Sequence, residues 1–128
     1  MTLLAHITEE RHGDLAVARV EGEIDASNVK WVETRLRTLL TNQSVGLVVD
    51  LSATTYLESA GIALWFALAE DLRQHQQQLR LVVVDRSSIA RMVTLTGLDE
   101  AVPTSPTLET ALAEAGGGDG ATGSLRRP

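Results

Sequence analysis

The sequence predicts an α/β fold: one domain with a mixed, mostly parallel sheet flanked by about four helices. Three observations carry that expectation. "VGLVVDL" (45–51) and "LRLVVVD" (79–85) are short, nearly continuous apolar runs, the pattern of strands buried on both faces. Each leads into a segment with apolar residues at helical spacing, and this alternation sets helices against a parallel sheet. The start of the chain instead offers two extended segments joined by a turn, which adds an antiparallel pair.

In chain order, "LLAHI" reads as a short strand that turns at "RHGD" into "DLAVARVEGEI", where Leu15, Val17 and Val20 lie in an extended, β-branched context. "ASNVKWVETRLRTLL" places Val29, Val32, Leu36, Leu39 and Leu40 at helical spacing, with Ser27 or Asn28 to cap it. A polar loop follows "VGLVVDL". Next comes "SAGIALWFALAEDLRQH", a helix whose stripe of Ile62, Trp65, Phe66, Ala69 and Leu72 faces the core. "SSIARMVTLTG" is a shorter helix carrying Ile89, Met92 and Val93, with Asp85, Ser87 and Ser88 as cap candidates. Gly97 suits the left-handed position that ends it, with Leu98 folding back on Val93. "EAVP" reads as a short last strand, and "SPTLETALAEA" as a closing helix entered through Ser105 and Pro106. From Gly116 on, "GGGDGATGSLRRP" is Gly-rich and polar. The expected organisation is a domain over 1–115 and a flexible tail over 116–128.

Composition narrows the function classes. The chain has 128 residues, the size of one domain, and its core must be aliphatic because Phe, Trp and Tyr make only 3%. A net charge of -6, with no basic cluster, argues against nucleic acid as a partner. The absence of cysteine excludes disulfides, thiol chemistry and Cys-based zinc sites. His6, His12 and His75 are scattered without metal-ligand spacing, so no metal and no cofactor is expected. No apolar run approaches a membrane span, and the N-terminus lacks a basic n-region, which makes a cytoplasmic protein without membrane contact the default.

The informative stretch is "LESAG". A carboxylate, a hydroxyl and a glycine (Glu58, Ser59, Gly61) stand where a core-facing helix begins. Serine is a favoured N-cap, an acid suits the helix dipole, and glycine permits close packing, so the group has an ordinary structural reading. The same physics allows a sharper one. A strand-to-helix turn presents its residues at the surface, where free N–H groups stabilise an anion. A phosphoryl group on Ser59 adds about -1.5 to -2 charges at pH 7. Two unit charges ~5 Å apart at an effective dielectric of ~20 repel by roughly 3 kcal/mol. Beside Glu58, a phosphorylated Ser59 would act as an electrostatic off-switch for docking. Trp31, about 100° from the Val32 stripe of its helix, is a candidate interface anchor. An enzyme reading has little support. Ser59 has no evident general base, "LESAG" is not G-x-S-x-G, and no phosphate-binding glycine fingerprint appears.

Four segments resemble the STAS family, specifically its anti-sigma factor antagonists. "VEGEIDASN" (20–28) is similar to the family's G-E-L-D segment, and "LVVDLSATTYLESAGIALW" to its strand–loop–helix with D-S-S/T/A-G. "LRLVVVDRSSIARMVTLTGLDEAVP" resembles the later strand, helix and L-x-x-T-G-L turn, and "SPTLETALA" the closing helix. Together they span nearly all of residues 10–115 in order. The resemblance implies a SpoIIAA-like fold and a partner-switching role. The unphosphorylated antagonist binds an anti-sigma factor that is often a serine kinase, and so frees a sigma factor. The kinase phosphorylates the serine, and a PP2C-type phosphatase restores it. Ser59 matches the phosphorylated serine, Glu58 stands where the family usually has Asp, and Ala60 replaces a second hydroxyl. Asp25 matches the acid that lies near the partner surface in relatives. Asp25, Asn28, Trp31, Glu58, Ser59, Ala60 and Gly61 are the expected partner-binding residues, on a monomer or weak dimer. The rival expectation is a non-switching STAS scaffold subunit of a transporter or stress-sensing complex.

Overall fold

The structure, a computed structural model, describes residues 5–115; the expected tail from Gly116 lies outside the described residues. Six strands form one sheet: β1 (Ala5–His12), β2 (Leu15–Ile24), β3 (Gly46–Asp50), β4 (Thr54–Leu57), β5 (Gln78–Val82) and β6 (Thr104–Ser105). Five helices join them: α1 (Val29–Thr38), α2 (Ser59–Gln74), α3 (Ser88–Leu95), α4 (Leu98–Ala101) and α5 (Leu108–Glu114). The order is β1-β2-β3-β5-β6, with β4 also paired to β2. Only β1 runs antiparallel to its neighbour; the other pairings are parallel, as the continuous apolar runs lead one to expect.

The two faces of the strands serve two cores. Ala16, Ala18, Leu47, Val49 and Leu81 pack with α1 to α4 in the larger cluster. The alternate positions Leu15, Val17, Val48 and Val82 pack under Ala111 of α5. This is the period of two expected of strands covered on both sides. Each Leu or Val so buried contributes about 1.5–3 kcal/mol of transfer free energy.

Four local readings are corrected. The segment after β3 is not only a loop. Thr54–Leu57 is a strand, held by Thr54 Oγ1 donating to the Val20 carbonyl at 2.8 Å and by buried Leu57. Phe66 is not in the core; it is 37% exposed. The buried positions of α2 are Gly61, Ile62, Leu64, Trp65, Leu68 and Leu72. At 100° per residue Phe66 lies about 120° from the centre of that stripe. "EAVP" is not the last strand. Leu98, buried, starts the short α4 right after Gly97, which does adopt the left-handed φ of +76°. The last strand falls at Thr104–Ser105, so α5 begins later than expected, at Leu108, capped by Thr107 accepting from the Thr110 N–H at 3.1 Å. The helices thus number five. Of the three cap candidates for α3, Ser87 serves, accepting from the Ala90 N–H at 3.0 Å.

Gly22 decides how β2 finds β4. The β2–β4 register shifts between Gly22 and Glu23, a bulge, and Gly22 takes φ +102°. Its N–H donates to the Ala53 carbonyl at 3.0 Å. A side chain in this region of φ costs about 1–2 kcal/mol. Gly22→Ala is expected to lower the unfolding free energy by at least about 1 kcal/mol in a urea titration. An unchanged midpoint would mean that the bulge relaxes freely.

Candidate functional site

Parallel pairing of β2 with β4 aligns Ile24 with Leu57, so both strands end at the same edge of the sheet. Two strand-to-helix turns therefore emerge side by side: Asp25–Asn28, leading into α1, and Glu58, leading into α2. Glu58 ties them together. Its N–H donates to the Ile24 carbonyl at 3.0 Å, and its Oε1 accepts from the Ala26 N–H at 3.0 Å. The longer carboxylate thus reaches across to the neighbouring loop.

The first turn is internally closed. Asp25 Oδ1 accepts from the Ser27 hydroxyl at 2.6 Å and from the Ser27 N–H at 2.8 Å. Asn28, buried, accepts from the Asp25 N–H at 2.9 Å and donates to the Glu23 carbonyl at 2.8 Å. Asn28 stands at the N-cap position of α1, but its side chain folds back into the loop and makes no capping bond. These bonds fix the loop before any partner arrives. The Ser27 hydroxyl holds the Asp25 carboxyl below the usual carboxylate range; desolvation opposes it, and the Ser27 and Asn28 backbone N–H groups add smaller lowering effects.

The second turn departs from the capping expectation for Ser59. Glu58 is the N-cap, with extended φ -87° and ψ 168°, and Ser59 is the first helical residue. The Gly61 and Ile62 N–H groups donate to the Glu58 carbonyl at 2.9 and 3.2 Å. Ser59 is exposed, and its hydroxyl makes no hydrogen bond among the described residues. The contrast with its neighbours is direct. Ser27, Thr54 and Thr55 all spend their hydroxyls on Asp25 or on β2 carbonyls. Along α2, Ser59 shares its outward face with exposed Ala63 and with exposed Phe66.

Ala60 is half-buried and Gly61 buried. A Cβ on Gly61 would stand 2.4 Å from Leu57 Cδ1 and 3.0 Å from Ile24 Cγ2. Gly61 is thus where α2 closes onto the ends of both strands. Trp31 is not a free anchor. It is half-buried against the core, with the Arg35 guanidinium 5.9 Å from its ring centroid. The structure brings Asp25, Asn28, Glu58, Ser59, Ala60 and Gly61 to one edge, while Trp31 packs on the flank of α1. Among the described residues no three His, Cys, Asp or Glu side chains gather as metal ligands, and no helix is long and apolar enough to cross a membrane.

Residues 6–111 match the profile of the STAS domain. The chain belongs to the STAS-domain family. Its similarity to the anti-sigma-F factor antagonist RsfB of Mycobacterium tuberculosis is 32% identity over 113 residues, 88% of this chain and 90% of that protein. The anti-sigma-B factor antagonist of Listeria monocytogenes is 30% identical over 95 residues, 73% of this chain and 82% of the relative. Among solved structures, an anti-sigma factor antagonist from Mycobacterium paratuberculosis superposes with a TM-score of 0.78 at 31% identity, covering 87% of this chain and 93% of that one. Unphosphorylated SpoIIAA, at 17% identity, shares the STAS fold with a TM-score of 0.65 over 84% of this chain and 93% of its own.

Two outcomes follow from this geometry. Gly61→Ala should destabilise the STAS domain by about 1–3 kcal/mol in denaturant titration, since Leu57 and Ile24 are both buried and must give way. Ser27→Ala should raise the Asp25 pKa toward its ordinary value, read from carboxyl carbon shifts in an NMR titration. The sign for stability follows from the depressed pKa. The Asp25 contribution is present above the unfolded-state value of about 4 and is lost as pH falls through the lower folded value. Ser27→Ala should therefore flatten the acid limb of the stability profile, and an unchanged Asp25 titration would contradict the assignment.

Proposed function

We propose that this chain is an anti-sigma factor antagonist whose binding is switched off by phosphorylation of Ser59. The observation that carries the reading is the state of that hydroxyl. It is exposed, unbonded and set on the first turn of a helix, at an edge that the fold has otherwise tied down. The relatives named as anti-sigma factor antagonists match over nearly the whole domain, which supports the partner class. Asp25, Glu58, Ser59 and Ala60 form the centre of the docking surface, held in place by buried Asn28, and Ala63 and Phe66 extend it along α2. The partner is an anti-sigma factor with serine kinase activity, and a PP2C-type phosphatase reverses the modification in the cytoplasm.

The chemistry is a charge change at a prearranged surface. A kinase transfers the γ-phosphoryl group of ATP to Ser59 Oγ; the O–P bond forms, ADP leaves, and the hydroxyl proton is released. The Ser59 and Ala60 N–H groups make no hydrogen bond among the described residues, so the helix end tolerates the anion in the free protein. Docking is different. The complex must bury the new charge beside the Glu58 carboxylate, and desolvation adds to their repulsion. Each 1.4 kcal/mol lowers affinity tenfold.

Titration calorimetry with the cognate anti-sigma factor tests this. Ser59→Ala should bind like the wild type, and Ser59→Asp should bind at least tenfold more weakly. Incubation with the kinase and ATP should add one phosphoryl group, located at Ser59 by mass spectrometry and absent from Ser59→Ala. Equal affinities for the Ala and Asp variants would overturn the switch. Copurification with a transporter or large assembly, without response to ATP, would replace it with the scaffold role.

A further inference from the structure

Among the described residues, six of the eight arginines of this acidic chain have partners. Arg19, Arg35, Arg37, Arg73 and Arg80 each pair with a carboxylate, and Arg11 donates to the Leu39 carbonyl at 2.8 Å. Among the described residues, Arg86 and Arg91 alone of the arginines have neither an ion pair nor a side-chain hydrogen bond. They line the same groove, of about 420 Å³, together with Ser87, Ala90, Thr94 and Leu95. Leu95 is 77% exposed, the most exposed of the large hydrophobic residues described. Asp85, next to Arg86 in sequence, pairs with neither guanidinium.

Three features therefore coincide on α3 and the turn before it: two unneutralised cations, a concave surface between them, and an apolar side chain left in water. The backbone adds a fourth. Arg86 is held at φ +64°, a region that a long side chain rarely adopts and that Gly or Asn would occupy at lower cost. Arginine is the cation best suited to bind carboxylates in pairs of parallel bonds, and the groove beside the two arginines carries an exposed leucine at its rim.

We infer that the α3 groove docks an acidic segment of a protein partner, its carboxylates paired with Arg86 and Arg91 and one apolar side chain seated against Leu95 and Ala90. The surface goes beyond the Ser59 switch and uses none of its residues. The β5–α3 turn nonetheless opens at the same edge of the sheet as the Asp25 and Glu58 turns, because β2, β3 and β5 run parallel.

The test is an amide NMR titration of the full chain with a synthetic peptide of glutamates interrupted by one leucine and one phenylalanine. The expected result is saturable shifts confined to the turn before α3 and to α3 itself. A peptide with lysine in place of every glutamate should leave the spectrum unchanged. R86E combined with R91E should abolish the response, and L95S should weaken it severalfold, while amides outside α3 report an intact fold. Absence of shifts at the highest soluble peptide concentration would overturn the proposal. So would shifts spread over the whole surface, equal shifts from inorganic pyrophosphate, or shifts at Leu95 that depend on protein concentration without peptide. Ser59→Asp should respond to the peptide like the wild type. Failure here thus leaves the phosphorylation switch to its own binding test, and failure of that test leaves the groove standing.

Discussion

The site depends on one strand pairing. If β2 met only β3, its C-terminal end and the start of α2 would have no reason to lie together. The bulge at Gly22 lets the last residues of β2 pick up β4, and Glu58 locks the result with one backbone and one side-chain bond. Leu57, Ile24 and Gly61 fill the space beneath, with no room for a further methyl group. The surface above this junction is therefore rigid, although it is made of two turns. Rigidity matters because a partner that docks on a prearranged surface loses less in ordering it.

Within that frame, the helix end has given up a cap. A serine at the N-cap position would spend its hydroxyl on a backbone N–H, an exchange typically worth about 1 kcal/mol. Glu58 occupies that position without capping, and its carboxylate goes to Ala26 instead. The displaced serine becomes the first helical residue, its oxygen free and the adjacent amides open. The arrangement forgoes a little local stability, and in return the hydroxyl of exposed Ser59 stays unbonded among the described residues.

Much of this was legible in the sequence, and the failures have physical causes. β3 and β5 announced themselves because both faces of each are covered. Gly97 and Ser87 were legible because turn and cap chemistry is local. β4 was not, since Thr54 is buried by a hydroxyl bond to Val20, and Thr55 and Tyr56 are exposed; the strand carries little apolar signal. A stripe through the aromatic pair Trp65–Phe66 points Phe66 inward. Centring it on Gly61, which lies against Leu57 and Ile24, turns Phe66 outward. The serine was identifiable as a candidate, but the bond from Glu58 to Ala26 was not, because it joins residues 32 positions apart through a register that only the bulge sets.

The distribution of charge along this edge would give the proposed switch a direction. Glu58 directly precedes Ser59 and is bonded to the turn that holds Asp25, whereas Arg86 and Arg91, before and on α3, have no ion pair among the described residues. A partner that covered both would need opposite charges on its two halves. At physiological ionic strength, fields between exposed charges fade over about 8 Å, so each half acts mainly on what it touches. Under the proposed switch, phosphorylation of Ser59 would add charge beside Glu58 and would change no residue of the α3 groove. The proposed modification would thus act directly on the contact at Glu58 and Ser59, while a segment held at α3 would keep its own pairs with Arg86 and Arg91.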